Sequence, residues 1–357
     1  MFVVGPNASG KTNFLDAFTF LSDIAKPQGG LARAVEARRG FRRITSLHAH
    51  GSGRRLKLEV RLRIGSNEWG YQIALSGRKN QPALVESETV LKNGQSVMSE
   101  RPNPTDKKDP RLLQQTHLEQ VSQNAPFREL ADALASVDIV HVIPQVAKST
   151  SGTNEDTLRN STGFDFIERL ATLPKKKQRG SLNRIQALLK VAVPQFSRLE
   201  ITREKSSGRP HLEAAFEHWR LYGSWQNEQE FSDGTLRLIG LLWAILDGDN
   251  PLLLEEPELS LHEEVVKQLP RMLAKAGLMK DRQIIVSTHS EVMLNDRGID
   301  PREIIVLVPT AQGTEARLAS NDPGVLRGAM ARLPLGSLVS AVTRPAGIEQ
   351  LSLSFPK

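Results

Sequence analysis

The eight residues GPNASGKT, Gly5 to Thr12, constrain this chain more than any other stretch of it. They match G-x-x-x-x-G-K-[ST] at every specified position, a pattern whose glycines let successive backbone N–H groups turn inward on phosphate oxygens. Pro6, Asn7, Ala8 and Ser9 fill the cradle between Gly5 and Gly10. Lys11 has the reach for the β- and γ-phosphates, the Thr12 hydroxyl suits Mg²⁺, and Asn13 follows directly. Phe2, Val3 and Val4 read as the end of a buried strand feeding the loop. TNFLDAFTFLSDIAK reads as the helix leaving it, with its positive end presented to the same anion. A glycine turn before a helix is the plainer alternative, and the strand–loop–helix context decides for a nucleotide site.

Such a loop needs acidic residues at the tip of a neighbouring parallel strand, and PLLLEEPELSLH supplies them. Leu252, Leu253 and Leu254 make a buried strand, with Glu255 and Glu256 at its carboxyl end, where ligands bind in open α/β sheets. Glu255 there would hold Mg²⁺ directly or through water, and Glu256 would polarise the water that attacks the γ-phosphate. Two surface glutamates at a strand end would look the same without the phosphate loop. RQIIVSTHS gives a further buried strand ending at Thr288, His289 and Ser290. A neutral His289 imidazole could hydrogen-bond the γ-phosphate, or could be structural. In FSDGTLRLIGLLWAIL, Ser232 sits where an N-cap belongs and Gly234 leaves the backbone bare. This is either an ordinary capped helix or a second helix terminus suited to an anion; its place before PLLLEE favours the second.

Between these motifs the pattern changes character. LKLEVRLRI, WGYQIAL and ALVESETVL alternate as strands divided by turn signals, which predicts an antiparallel sheet. Residues from about 96 to 130 are polar without a dominant period, and read as loop and surface helix. DIVHVI, Asp138 to Ile143, is a short strand, and a polar stretch follows it. FDFIERLATL and LNRIQALLKVA carry helical spacing, and LEITRE with PHLEAAFEHW looks like a hairpin. The last third alternates apolar strands with helices, which implies a parallel sheet covered on both faces. The fold class is therefore α/β, a mixed or parallel sheet with flanking helices, an antiparallel β subdomain and a helical lobe. At 357 residues the chain exceeds one comfortable core. The expected division is 1–147 and 248–357 for the two parts of a nucleotide-binding lobe, and 148–247 for the helical lobe.

The order of these motifs, Gly5–Thr12, FSDGT, LLLEEPE and VSTHS, resembles that of the ABC-type ATPases. KTNFLDAF after the phosphate loop is similar to the RecF, SMC and OLD-like branch and its stand-alone predicted ATPases. The motifs touch about a tenth of the chain, but their order runs from Gly5 to Ser290. The resemblance implies ATP and Mg²⁺ as ligands and a head-to-tail homodimer that sandwiches each ATP between one subunit's phosphate loop and the other's signature. Carried over by position, Gly5 to Thr12 is the Walker A motif and Ser232, Asp233, Gly234 and Thr235 the signature. Glu255 is the Walker B acid, Glu256 the catalytic glutamate, Leu259 to Leu261 the D-loop and His289 the switch histidine. Gln145 is the candidate Q-loop glutamine on the metal. Lys11, Glu256 and His289 carry the catalysis in this reading.

Three departures from the family pattern stand out. Glu255 stands where the family has Asp, and its extra methylene would push Mg²⁺ outward or slow turnover. Asp233 puts a negative charge beside the signature, so its side chain must point away. Relatives carry a strand or two ahead of the phosphate loop, so a shortened start is expected here. OLD-type relatives also continue into a nuclease; the stretch after Ser290 is short and lacks a D-x-D cluster, so no intrinsic nuclease is expected.

A net charge of +7 permits a polyanionic partner, while 5% aromatic residues give little support for base stacking. Arg38, Arg39, Arg42, Arg43, Arg54, Arg55, Lys175, Lys176, Lys177 and Arg179 are the basic residues that would meet DNA, with a solvated face as the simpler reading. His48 and His50 lack an evident third metal ligand and read as surface residues. The longest nearly apolar run, Leu236 to Leu246, is too short to span a bilayer, and no leader pattern opens the chain, so a cytoplasmic location without a membrane partner is expected. The functional expectation is an ATPase head acting with DNA or an effector protein, in repair or phage defence. A non-catalytic ATP-gated dimerisation switch and a transporter ATPase subunit are the alternatives.

Overall fold

The computed structural model describes residues 1–46, 54–78, 81–98, 101–140, 166–217 and 224–344. The chain forms two compact units, one of Met1–Lys11, Ile139–Pro309 and Thr314–Lys357, the other of Thr12–Asp138 and Thr310–Gly313.

The first unit is built on strands β1 (Phe2–Val4), β6 (Asp138–Val140), β10 (Leu252–Glu255), β11 (Ile284–Ser287), β12 (Ile304–Thr310) and β13 (Gly313–Leu318). They form one sheet in the order β13-β12-β1-β11-β10-β6. β1 runs parallel to both β11 and β12, and β10 runs parallel to β11. FVV, LLL and IIVS are buried, as a parallel sheet covered on both faces requires. Register fixes where the strands stop: Val3 is level with Ser287, and Ser287 with Glu255. The loops after β1, β10 and β11 therefore leave the sheet at one edge.

The expectation that the acidic pair stands on the strand next to β1 is not met, because β11 lies between β1 and β10. Chain order does not encode lateral order. IIVS, apolar or small throughout and hydrogen-bonded on both sides, occupies the middle position. One apolar core covers the sheet, with Leu269 and Leu273 from the Leu269–Lys280 helix, Val325 from Pro323–Met330 and Val339 from Leu335–Thr343. A second core joins the helices Phe166–Thr172, Lys175–Ala192 and Asp233–Leu246 to an antiparallel sheet. Its strands are β7 (Phe196–Arg203), β8 (Pro210–Phe216) and β9 (Ser224–Asn227). β7 and β8 are the expected hairpin, and β9 adds a strand to it.

The second unit carries β2 (Arg54–Ile64), β3 (Asn67–Gly77), β4 (Leu84–Lys92) and β5 (Gln95–Ser96), antiparallel and in that order. Alternation sends Leu56, Leu58, Val60, Leu62 and Ile64 of β2 inward beside Trp69, Tyr71, Ile73 and Leu75 of β3. Phe20, Leu21 and Ile24, from the helix Lys11–Ala25 that follows the phosphate loop, close this core. The region from 96 to 130 is irregular, as expected, but it is not merely surface: Leu118, Phe127 and Leu130 are fully buried. Arg38, read with the exposed basic residues, is also no surface cation. Its side chain is only 12% exposed and is engaged by Asp16 at 2.7 Å and Asp23 at 3.0 Å.

Candidate nucleotide site

The phosphate loop follows β1 without an intervening residue. A Cβ at Gly5 would lie 2.4 Å from Ser9 Oγ and 2.9 Å from the Leu307 carbonyl oxygen, so only glycine fits the start of the turn. Ala8 (φ 62°) and Gly10 (φ 91°) take the left-handed conformation that turns the backbone. Ser9 N–H closes a turn on the Pro6 carbonyl at 3.2 Å, and the Thr314 hydroxyl holds the Ser9 carbonyl at 2.9 Å. Lys11 is buried and donates from Nζ to the carbonyls of Gly5 (3.2 Å) and Pro6 (3.3 Å). Burial pushes its pKa below the usual lysine value, against the opposing pull of Glu256, Glu255 and Glu258. Thr12 and Asn13, next in the chain, are exposed.

The loop after β10 meets the loop after β11. Glu256 adopts a left-handed backbone (φ 43°), uncommon for a glutamate, and its N–H is fixed on the Ser287 carbonyl at 3.0 Å. Its carboxylate Oε1 lies 3.3 Å from His289 Nε2. Burial first, then the Lys11 cation, lower the His289 pKa; Glu256 and Glu258 pull the other way. The imidazole is therefore neutral at pH 7 and able to accept or donate one hydrogen bond. Glu255, half-buried at the end of β10, completes the acidic field on Lys11.

Glu258 is the residue that sequence reasoning missed here. Its Oε1 accepts from the Thr288 hydroxyl at 2.6 Å and from the His289 backbone N–H at 3.0 Å, tying the acidic loop to the histidine loop. Thr288 in turn accepts from Ser290 N–H at 2.9 Å. The signal was the third glutamate of EEPE, which looks like one more exposed acid.

Ser232 caps the Asp233–Leu246 helix as its sequence suggests, its hydroxyl accepting from Thr235 N–H at 3.1 Å. Ser232 is exposed, while Asp233, Gly234 and Thr235 are half-buried. The bare backbone of Gly234 has a local reason: a Cβ there would lie 2.4 Å from the Ser260 carbonyl oxygen in the loop after β10. Arg237, one turn further, loses basicity through burial, opposed by Asp233 and then Glu256. The helix start and the acidic loop are thus neighbours within one unit. A cavity of about 270 Å³ is lined by Gly5–Asn7 and His289, together with Val339 and Thr343.

Lys11, Glu255, Glu256 and His289 are brought together, and the Ser232–Thr235 turn packs beside the same loop through Gly234. Gln145, His48 and His50 lie outside the described residues. Among the described residues no group of three or more His, Asp or Glu side chains is placed to hold a metal, so any metal would lean on few protein ligands. A threonine hydroxyl, one carboxylate and waters is a donor set that suits Mg²⁺ beside a phosphate. No helix among the described residues is long and apolar enough to cross a membrane.

Residues 1–295 match the family model described as "AAA domain, putative AbiEii toxin, Type IV TA system". Among solved structures the chain is similar to an Smc head domain with an extended coiled coil from Pyrococcus furiosus, bound to the C-terminal domain of ScpA. That match is 12% identical, covers 92% of each chain and has a TM-score of 0.47. An SmcHead bound to the C-winged helix domain of ScpA gives 13% identity, 88% of this chain and 89% of the other, and a TM-score of 0.46. The SMC head domain from Thermotoga maritima gives 12%, 89% of each chain and 0.40. No curated protein matches the chain. The family match spans the phosphate loop, the Ser232 helix, the acidic strand end and His289, and on it the chain belongs to this AAA-domain ATPase family.

Proposed function

We propose that the chain binds ATP with Mg²⁺ and hydrolyses it, and that ATP holds two copies together head to tail. The observation that carries this is the gathering of Lys11, Glu256, Glu258 and His289 at one edge of a parallel sheet, with Glu256 and His289 3.3 Å apart. The Gly5–Gly10 backbone and Lys11 take the phosphates. Thr12 and Glu255 hold the Mg²⁺, which when bound neutralises phosphate charge. Glu256 orients and polarises the attacking water, and the neutral His289 reports the γ-phosphate by hydrogen bonding. The exposed Ser232 turn closes on the nucleotide of the second copy, so the pair is tight only while the γ-phosphate remains.

The partners in this reading are DNA and an effector protein, in repair or phage defence. Support for DNA comes from the outward face of β2, where Arg55, Lys57, Arg61 and Arg63 are exposed and only Glu59 interrupts them. The family description names a toxin–antitoxin system, which makes an effector protein the second partner to seek. The test is turnover and oligomeric state with ATP–Mg²⁺ for wild type and Glu256→Gln. Turnover in wild type alone, with pairing retained in the variant, supports the ATPase. Pairing without turnover in either replaces it by an ATP-gated switch, and no response to ATP in either removes the proposal.

A further inference from the structure

The last carbonyls of an α-helix have no partners within the helix. At the end of the Asp233–Leu246 helix two cations from elsewhere in the chain take them. Arg282, 7% exposed, donates from Nη2 to the carbonyls of Ala244 (2.9 Å) and Ile245 (2.8 Å), and from Nη1 to that of Asp247 (2.9 Å). Lys280 Nζ donates to the Leu246 carbonyl at 2.9 Å. Positive charge at a helix C-terminus is favourable, and a guanidinium fork fixes several acceptors in one geometry.

The place of Arg282 gives this anchor its interest. It stands two residues before β11, whose four residues are all buried and whose far end leads to Thr288 and His289. β11 is hydrogen-bonded to β1 on one side and β10 on the other, so it cannot shift without the sheet. From Arg282 to His289 is about 23 Å of extended chain. The 14-residue helix it holds is about 21 Å long. Two stiff rods of nearly equal length are thus joined at one end by Arg282. One points to the histidine loop and the other to the Ser232 cap, where Gly234 packs on Ser260 of the acidic loop.

We propose that Arg282 is a positioning residue that sets the Ser232 helix tip against the sheet carrying the phosphate loop, Glu256 and His289. The proposal rests on the ATP-dependent pairing proposed above. Its chemistry is mechanical: with the helix end locked to the root of β11, the Ser232 turn is presented to a second copy in one orientation. A lysine in place of Arg282 keeps the charge but loses the fork, leaving several buried carbonyls poorly satisfied and the helix free to tilt.

The test measures ATP affinity of the separate chain, ATP-dependent pairing, turnover and thermal stability for wild type, Arg282→Lys, Ser232→Ala and the double variant. Wild type that neither pairs nor turns over with ATP defeats the pairing reading itself; the Arg282 comparison applies where wild type responds. The expected result is unchanged ATP affinity in Arg282→Lys with pairing and turnover weakened on the order of tenfold. In the double variant the two losses should fail to multiply, because Arg282 acts through Ser232. Losses that multiply independently, or pairing that persists in Arg282→Lys despite a lowered melting temperature, would overturn the proposal and leave Arg282 as a helix cap. If Arg282→Lys does not fold, Lys280→Met, which removes the donor to the Leu246 and Gly248 carbonyls and the Asp249 ion pair but leaves Arg282, carries the same comparison.

Discussion

His289 Nε2 lies 3.3 Å from the Glu256 carboxylate, although the two residues are 33 positions apart and stand on loops from different strands. The contact exists because β10 and β11 are paired in register, Glu255 level with Ser287, so the residues just beyond their tips converge. Glu258 secures the arrangement from below by accepting the His289 N–H. A carboxylate and a neutral imidazole at this distance can share a hydrogen bond.

Replacing Glu256 by Gln keeps the shape and removes the carboxylate proposed as the base. Turnover should fall by roughly a hundredfold or more, the usual range for a lost general base. ATP-dependent pairing should survive, since the amide leaves the phosphate loop and the Lys11 hydrogen bonds to the Gly5 and Pro6 carbonyls in place. Phosphate release and light scattering on the same preparation read both. Turnover within threefold of wild type would show that another group handles the water.

The pH dependence follows from His289. Its folded pKa is lowered from the ordinary 6.5 by burial and by Lys11, so the unfolded chain takes up the proton first as pH falls. Stability from this group is complete above about pH 6.5 and declines as pH drops through the folded pKa. His289→Gln should flatten that part of the stability profile, while turnover in wild type should stay level from pH 8 to about 6.5. Superimposable profiles of melting temperature against pH for the two proteins would count against a neutral, partly shielded imidazole.

Much of this site was legible in the sequence, and the reasons are local. The phosphate loop declares itself because Gly5 and Gly10 answer steric demands at fixed offsets. The Ser232 cap declares itself because an N-cap is a matter of four residues, and LLLE and IIVS are apolar runs of strand length. What stayed hidden depends on lateral packing. That β11 would part β1 from β10 is written in no single segment. Glu258 and Arg38 looked like solvent-facing charges because their partners, Thr288 and Asp16, are distant in sequence. Leu130, Ala131 and Leu134 did carry helical spacing, which would have revealed the buried face of the Arg128–Ala135 helix within the polar region.

In the second unit the Glu88 carboxylate, 1% exposed, accepts four hydrogen bonds. They come from Tyr71 Oη (3.0 Å), Arg101 Nη1 (3.0 Å), and the backbone N–H groups of His117 (2.8 Å) and Leu118 (3.1 Å). Arg101 also pairs with Asp106 at 3.2 Å. Glu88→Ala removes one of the two carboxylates paired with the buried Arg101 guanidinium and orphans two backbone N–H groups, so it should destabilise by about 3–5 kcal/mol. Urea unfolding gives the number, and a loss below about 1 kcal/mol would mean that water satisfies these groups instead.

Gly5 and Ser9 make opposite predictions at one spot. Gly5→Ala forces a methyl against Ser9 Oγ and the Leu307 carbonyl and should cost about 1–3 kcal/mol together with ATP binding. Ser9 Oγ is buried and has no hydrogen-bond partner among the described residues, so Ser9→Ala should be neutral or mildly stabilising. Thermal melts with and without ATP–Mg²⁺ separate the two. A Ser9→Ala protein that melts several degrees lower would show that the hydroxyl is satisfied after all.

The exposed face of β2 makes the DNA reading quantitative. Arg55 pairs with Glu86 at 3.0 Å and Arg61 with Glu59 at 3.2 Å, whereas no carboxylate among the described residues is within ion-pair distance of Lys57 or Arg63. Side chains two residues apart on this strand stand about 6.8 Å from one another on one face, a row able to follow a phosphate backbone. Trp69 and Tyr71 of the adjoining β3 are buried on the opposite face, so contacts here go to phosphates and not to stacked bases. Each phosphate contact contributes about −0.9 to the slope of log affinity against log salt. Lys57→Ala with Arg63→Ala should therefore make that slope shallower by about 1.8 for a duplex of any sequence. An unchanged slope, with wild-type DNA binding intact, would move the DNA contact off this strand.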